Sequence, residues 1–551
     1  MADGYDARSR RSRAIDRLAV VRDMWDEWPW GSLVLLLVSG FVLTVVIGAW
    51  QCDDAYITFR VVDNVIHGFG PVWNVGERVQ VFTNPLMMMS LSALSAVTRE
   101  VYFTSLAFSV ITSSAAVGIL AFRVSRSRVG TAFALLVLVL ASPFVTYSTS
   151  GLENCLIFLL SALFFWEYFK SERHDVHSLA LLTVWFSLSL VNRMDTALLL
   201  APALLFAYVT NERVGWWKTA AVAAVGMMPF IAWEAFALIY YGFPFPNTAY
   251  AKLSTGIPPS EYLVRGAWYY VMSFVQSPTV IATILLGSVA ILLERRLKSI
   301  VPLAGIALYL VYIVRIGGDF MRGRFFTAPL FVVLLVLVSM DSEHWKRVLV
   351  STRLVTVVAL SVILVHNAGN LIYRAMDFNH LAPYGTYNDK AIYFPASNLM
   401  LNLVRPQLQK SPLVQKGEAL RASGETPVVR ATLGFTGYYA GPRIHIVDPL
   451  ALSDALLARL PAVYDPEWHI GHIVRYIPEG YLETIKSGTN QIQDPGIAEY
   501  YDRLSVVIKG PLWTKDRWNA IYELNTGKLD HLIDREHYRF EVENTLDIDS
   551  L

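Results

Sequence analysis

The chain has 551 residues, 54% of them hydrophobic and 17% charged, with a mean hydropathy of +0.42. Soluble domains run at about 45–50% apolar and about 25% charged, so the composition excludes an ordinary soluble protein and implies a polytopic membrane protein. A net charge of +1 gives no footing for nucleic-acid binding, and two cysteines, Cys52 and Cys155, are too few for a disulfide framework or a zinc site.

The first 30 residues are polar and carry Arg8, Arg10, Arg11, Arg13, Arg17 and Arg22. Basic excess beside a span marks the cytoplasmic side, so residues 1–30 are expected there. The apolar run after them, 31–50, is long enough to stay as an anchor rather than be cleaved as a signal. A helix at about 32–49 then runs outward and delivers Asp53 and Asp54 to the external face. An external loop, 51–101, follows, with a turn at Gly68-Phe69-Gly70-Pro71. Within it, 83–97 is apolar but shorter than the roughly 20 residues a span needs. A re-entrant or interfacial helix there keeps the later arginine clusters on one side; a full span would put them outside.

Further spans are expected near 102–122, 131–144, 152–169, 178–190, 196–210, 219–240, 272–293, 300–314, 325–340 and 354–371, about eleven in all within a transmembrane domain over 31–370. Arg123/Arg126/Arg128, Lys170/Arg173, Arg213/Lys218, Arg295/Arg296/Lys298 and Lys346/Arg347/Arg353 then share the inner side. The outer side carries the runs 149–154, 192–195, 242–252 and 315–324, together with Asp53. From about residue 371 the long apolar runs end. Residues 371–551 are expected to form a small soluble α/β domain, external by the odd span count, with strands near 426–433 and 445–448 and helices near 450–460 and 497–504.

Two adjacent carboxylates where a span meets water need a reason, since an ionisable residue at that depth faces a cavity or a partner rather than lipid. A helix N-cap with a solvated neighbour is the plain alternative for Asp53 and Asp54. The basic residues on the same face favour chemistry. A carboxylate beside a hydroxyl acts as a general base, typically contributing about 10²–10⁴-fold. Two held together repel, so one can take the proton while the other orients it, positions a hydroxyl or binds a divalent cation. No other cofactor is suggested.

Arg315, Asp319, Arg322 and Arg324 surround Gly317-Gly318 at the outer ends of two spans. Guanidinium forks suit phosphate oxygens, and glycines let a ligand approach the backbone; the alternative is a salt-bridged loop with snorkelling arginines. Lys252 is either a second phosphate contact or an interfacial lysine. Arg193 and Asp195, beside Asn192, are expected to pair with each other. Thr83 and Asn84 have turn and capping roles by default, Glu77 flanks the same loop, and Glu153 at a helix start complements the dipole. His445, His469 and His472 lack metal-ligand spacing, although His469 and His472 could reach the site from above.

Several runs resemble the GT-C class of membrane glycosyltransferases. In the first external loop they are Asp53-Asp54-Ala55-Tyr56-Ile57-Thr58-Phe59-Arg60, Asp63-Asn64-Val65-Ile66-His67-Gly68-Phe69-Gly70, Val72-Trp73-Asn74-Val75-Gly76-Glu77-Arg78-Val79 and Thr83-Asn84-Pro85-Leu86. Downstream are Pro246-Asn247-Thr248-Ala249-Tyr250-Ala251-Lys252, Gly317-Gly318-Asp319-Phe320-Met321-Arg322-Gly323-Arg324, Asp448-Pro449-Leu450-Ala451-Leu452-Ser453-Asp454, Ile470-Gly471-His472 and Ile477-Pro478. Within the class they are most similar to the mycobacterial terminal β-(1→2)-arabinofuranosyltransferase family.

The resemblance implies a GT-C-like α-helical polytopic membrane protein with a polyprenyl-phosphate-linked sugar donor and an inverting transfer. It also implies an acidic base in the first external loop, here Asp53 or Asp54. Decaprenyl-phospho-arabinofuranose is the mycobacterial donor. On that footing D-arabinofuranose moves to a cell-envelope glycan at the external face of a bacterial inner membrane; mannose as the sugar, or a protein acceptor, stays open. Asp53 is expected to take the proton with Asp54 assisting, while Arg315, Arg322, Arg324 or Lys252 holds the phosphate. Glu77, Thr83, Asn84, Asn192, Arg193, Asp195, Asn247, Tyr250, Asp319, His469 and His472 are the candidate substrate contacts. A transporter or flippase for the same lipid is the competing class, but neither inverted repeats nor broken midplane helices show in the sequence. A receptor-like scaffold would leave the rim charges without a purpose.

Overall fold

The computed structural model describes residues 28–211, 215–253, 255–341, 345, 386–463, 465 and 468–536. The first half of the chain contains α1 (Trp28–Ile47), α2 (Asp53–Ile66), α3 (Pro85–Thr98), α4 (Tyr102–Ile119), α5 (Arg128–Leu140), α6 (Ser142–Tyr147), α7 (Asn154–Lys170), α8 (Val176–Asn192) and α9 (Thr196–Val209). Then come α10 (Trp216–Gly226), α11 (Met228–Tyr240), α12 (Asn247–Leu253), α13 (Pro259–Gln276), α14 (Pro278–Glu294), α15 (Leu297–Arg315) and α16 (Thr327–Val338). The last part holds α17 (Asp389–Ser397), α18 (Leu399–Val404), α19 (Pro412–Ser423), α20 (Phe435–Ala440), α21 (Tyr481–Ser487), α22 (Pro495–Lys509) and α23 (Lys515–Asn525). Two short strands, β1 (Val428–Val429) and β2 (Ile446–Val447), pair in parallel there, Val428 opposite Ile446. Among the described residues the fold is mainly helical.

Local chemistry sets the helix starts. The Glu100 carboxylate accepts from the backbone N–H of Tyr102 at 2.6 Å and of Phe103 at 2.7 Å, opening α4. Asp175 caps α8 by accepting from Ser178 N at 2.8 Å. Every residue of α16 is buried, as a helix that is apolar all round requires. Around it Phe144 stacks on Phe158 at 4.3 Å and on Phe331 at 5.4 Å.

Breaks in the helices differ from the expected spans. Tyr102–Val124 and Leu297–Arg315 are long and apolar enough to cross a membrane as single helices; α10 with α11 and α13 with α14 qualify as pairs bent by 50° and 103°. Among the described residues six further apolar helices have 10–17 residues. The expected span 272–293 is cut at Ser277 because Pro278 cannot continue the preceding helix and instead starts the next. Pro143 likewise separates α5 from α6 within 131–144. The expected span 354–371 and the basic head 1–27 lie outside the described residues. Residues 85–98 form the short α3.

The tail is bound to residues 51–101. Arg60 is buried and donates to the carbonyls of Trp73 at 3.0 Å, Gly437 at 2.7 Å and Ile444 at 2.8 Å, with its guanidinium 4.0 Å above the Trp73 ring. One apolar core holds Trp50, Tyr56 and Trp73 together with Phe435, Ile446 and Leu504. Arg517 reaches the last carbonyls of α11, Ile239 and Tyr240, at 2.8 and 2.9 Å. Both strands fall inside the expected strand stretches, and 497–504 lies within α22. The expected helix at 450–460 is absent, apart from one 3-10 turn at Leu457–Arg459. Asp448 accepts instead from the N–H groups of Leu450, Leu452 and Ser453, and Ala451 takes φ +62°, so a side-chain-bonded turn displaces the helix.

Candidate active site

Asp53 and Asp54 form the first turn of α2, where the positive end of the helix dipole favours carboxylates. Both are partly exposed. The alternative N-cap role is not what they do, because Cys52 occupies that position. Asp53 Oδ1 accepts from the backbone N–H of Phe435 at 2.7 Å, and the N–H of Gly434 also bonds this carboxylate. The turn before them is pinned from the tail. Ser397 Oγ donates to Gln51 O at 2.6 Å, Leu399 N to Ala49 O at 3.0 Å and Lys390 Nζ to Gly48 O at 2.9 Å. From the other side Cys52 N donates to Ser150 O at 3.0 Å, and Gly151, at φ +82°, brings its loop against Ala55 and Phe59. Both cysteines are free.

The two carboxyls differ. Burial raises Asp53 to about 7, opposed by the Phe435 and Gly434 N–H groups and reinforced by Asp54. Burial raises Asp54 to about 6; Arg324 and Lys252 pull it down, and Asp319 and Glu153 push it up. Among the described residues no hydrogen bond reaches the Asp54 carboxyl, so Asp53 is the anchored member and Asp54 the open one.

Behind the pair lies a buried hub on Glu153. Its Oε1 accepts from Arg193 Nη1 at 2.5 Å and Arg324 Nη2 at 2.9 Å, and Oε2 from Asn84 Nδ2 at 3.3 Å. Arg193 pairs with Asp195 at 2.8 Å, as expected from sequence, and Arg324 with Asp319 at 3.4 Å. Asn192 donates to the Glu153 carbonyl at 3.2 Å. Glu153 therefore does more than complement a helix dipole. Asn84 turns its side chain to this hub rather than capping α3, and also accepts from Thr58 at 3.2 Å.

Lys252 and His472 mark the open side. Both are exposed, yet burial lowers the Lys252 amine, countered by Asp319 and Asp54, and holds His472 down at about 4. His472 lies 5.1 Å edge-on to Phe320, and His469 lies 6.2 Å from the Tyr387 ring. The turn at Gly317-Gly318 needs φ near +85° and +81° and presses on Ile470 and Tyr269.

The remaining candidates divide. Arg324 is buried and already held by two carboxylates. Arg322 bonds the tail through Thr386 O at 2.9 Å, and Arg315 is exposed at the end of α15. Thr83 is exposed. Glu77 lies away from the pair, bridged to Lys509 at 3.1 Å and 4.0 Å from His445. Asn247 ties α12 to the carbonyls of Ala451, Leu452 and Asp454 at 3.0–3.1 Å, and Tyr250 packs on Phe243 beneath Arg459. Among the described residues no group of three or more His, Cys, Asp or Glu side chains is placed to hold a metal ion. Sequence reasoning missed the role of Glu153, although its run sat on the same side as Asp53. It also missed Asp389 and the Gly434–Phe435 amides, for which no sequence signal existed.

No family model matches the chain. It is 25% identical over 536 residues to a terminal β-(1→2)-arabinofuranosyltransferase of Corynebacterium glutamicum, covering 80% of this chain and 77% of that protein. It is 26% identical over 336 residues to the protein of the same name from Mycobacterium tuberculosis, spanning 52% of each. Among solved structures it is similar to ArnT of Cupriavidus metallidurans bound to undecaprenyl phosphate, with a TM-score of 0.43 and 11% identity over 75% of this chain and 85% of that one. The likeness read from the motifs is thus borne out in two bacterial proteins, both named as terminal β-(1→2)-arabinofuranosyltransferases.

Proposed function

We propose that the chain is an inverting, membrane-embedded glycosyltransferase that moves D-arabinofuranose from a polyprenyl-phosphate donor to a cell-envelope glycan. The work is done at the external face of a bacterial inner membrane, with about eleven spans across 31–370, residues 1–30 in the cytoplasm and 371–551 outside. What carries the proposal is the grouping of charge: Asp54, free of hydrogen bonds from described residues, lies within the electrostatic reach of both Lys252 and Arg324. The named relatives support the choice of sugar.

In the transfer the acceptor hydroxyl oxygen attacks the anomeric carbon as the bond from that carbon to the phosphate oxygen breaks. Asp54 takes the hydroxyl proton. Asp53, locked by the Phe435 and Gly434 amides, fixes the start of α2 and hence the direction of Asp54; this exchanges the two roles expected from sequence. Lys252 meets the phosphate as it gains charge, electrostatic stabilisation of the kind that is usually the largest contribution. Arg324, held by Glu153 and Asp319, supplies positive potential from behind. The test is transfer by the purified protein from synthetic polyprenyl-phospho-arabinofuranose to an arabinan oligosaccharide. Product with inverted anomeric configuration is expected; lipid translocation without product would replace the enzyme with a flippase.

A further inference from the structure

One buried carboxyl near the pair has no part in the chemistry above. Asp389 opens α17, is 4% exposed, and its Oδ2 has no hydrogen-bond partner among the described residues. The charged groups facing it are Asp54, Asp319, Arg324 and Asp53. Cys52, Tyr147, Tyr387 and Tyr393 are the other titratable groups that feel it. Its neighbour Lys390 is turned away to Gly48 O at 2.9 Å. Three carboxylates thus surround it, and the one cation among them is already held by Glu153 and Asp319. Burial and these carboxylates push Asp389 well above the usual carboxylate range, which favours its protonated form.

Helix α17 is not free to carry Asp389 elsewhere. Ser397 at its end both accepts from Gln51 N at 3.1 Å and donates to Gln51 O, and Asn398 donates to Ala49 O at 3.1 Å. A neutral carboxyl held in place beside the catalytic pair offers one O–H donor and one acceptor. A hydroxyl-rich ligand matches that offer, whereas a phosphate brings charge into an already acidic corner. We propose that Asp389 donates its carboxyl hydrogen to an oxygen of the donor sugar, making it a substrate-binding residue supplied by the tail. This contact rests on the glycosyltransferase function proposed above.

The experiment compares full-length wild type, Asp389→Ala and Asp389→Asn in transfer from synthetic polyprenyl-phospho-arabinofuranose, separating KM for the donor from kcat and using thermal melting as a fold control. D389A is expected to raise KM about tenfold, the scale of one lost hydrogen bond in a buried site. D389N, whose amide is also a neutral donor, should recover all but about threefold of that loss. An unchanged KM in D389A overturns the contact, and so does a D389N as weak as D389A, which would mean a charged carboxylate is needed. Should D389A fail to fold, Asp389→Leu, which fills the space without a polar atom, is read in the same way. A wild type that transfers nothing from this donor defeats the proposed function itself. Normal wild-type transfer beside an unaffected D389A defeats only the Asp389 contact.

Discussion

Replacing Glu153 with Gln tests the hub on which the site's cations hang. The substitution keeps shape but removes the charge that two guanidiniums share: Arg193 at 2.5 Å and Arg324 at 2.9 Å. Arg193 keeps Asp195 at 2.8 Å, while Arg324 is left with Asp319 at 3.4 Å as its carboxylate partner. Removing one partner of a buried pair costs about 3–5 kcal/mol; because Gln keeps one acceptor oxygen, the lower end, about 3 kcal/mol, is expected. In detergent that loss lowers Tm on the order of 5 °C. A second readout moves independently. Glu153 pushes Asp54 up, so neutralising it shifts the acid limb of the transfer rate to lower pH. A Tm within one degree or so of wild type, with an unmoved acid limb, would refute the picture of a buried carboxylate clamped between two arginines.

Other outcomes follow from the same geometry. Asp54→Asn should cut transfer by about 10²–10⁴-fold without loss of protein from the membrane, measured as kcat on purified protein. Because Asp54 must be ionised to act and titrates near 6, the wild-type rate should be half-maximal near pH 6 and fall about tenfold per unit below it. Asp53 is read through stability instead of rate. Its carboxyl is raised to about 7, so its contribution to stability is complete below the ordinary carboxylate range and is lost as pH rises through about 7. Asp53→Asn should therefore raise Tm more at pH 8 than at pH 4, and an equal change at both would count against the assigned burial. Gly434→Ala places a methyl against the Asp53 carboxylate and backbone; transfer should drop sharply while a spectroscopic check shows helix content preserved.

The mainly helical character was legible because long apolar runs obey a simple length and polarity rule. Asp53, Asp54, Lys252 and the 192–195 and 317–324 runs could be grouped from basic-residue asymmetry alone, and the Arg193–Asp195 pair followed from spacing. Helix breaks at Ser277 and Ala141 were underweighted, since each apolar run reads through its proline as if continuous. The helix at 450–460 failed because Asp448 offers the backbone competing acceptors, a local effect that apolar periodicity does not register. Asp389 could not be found at all. Its neighbours in sequence are ordinary, and only packing beside residues distant in sequence, Asp53, Asp54, Asp319 and Arg324, makes it unusual.

The bond from Phe435 N to Asp53 joins residues 382 positions apart. During synthesis the acidic pair emerges early, but the amides that orient it are made only after most of the chain has left the ribosome. A chain cut short before residue 434 would keep every carboxylate of the first loop and lose its aim. The acidic pair and the amides that orient it are therefore supplied by stretches of chain 382 positions apart.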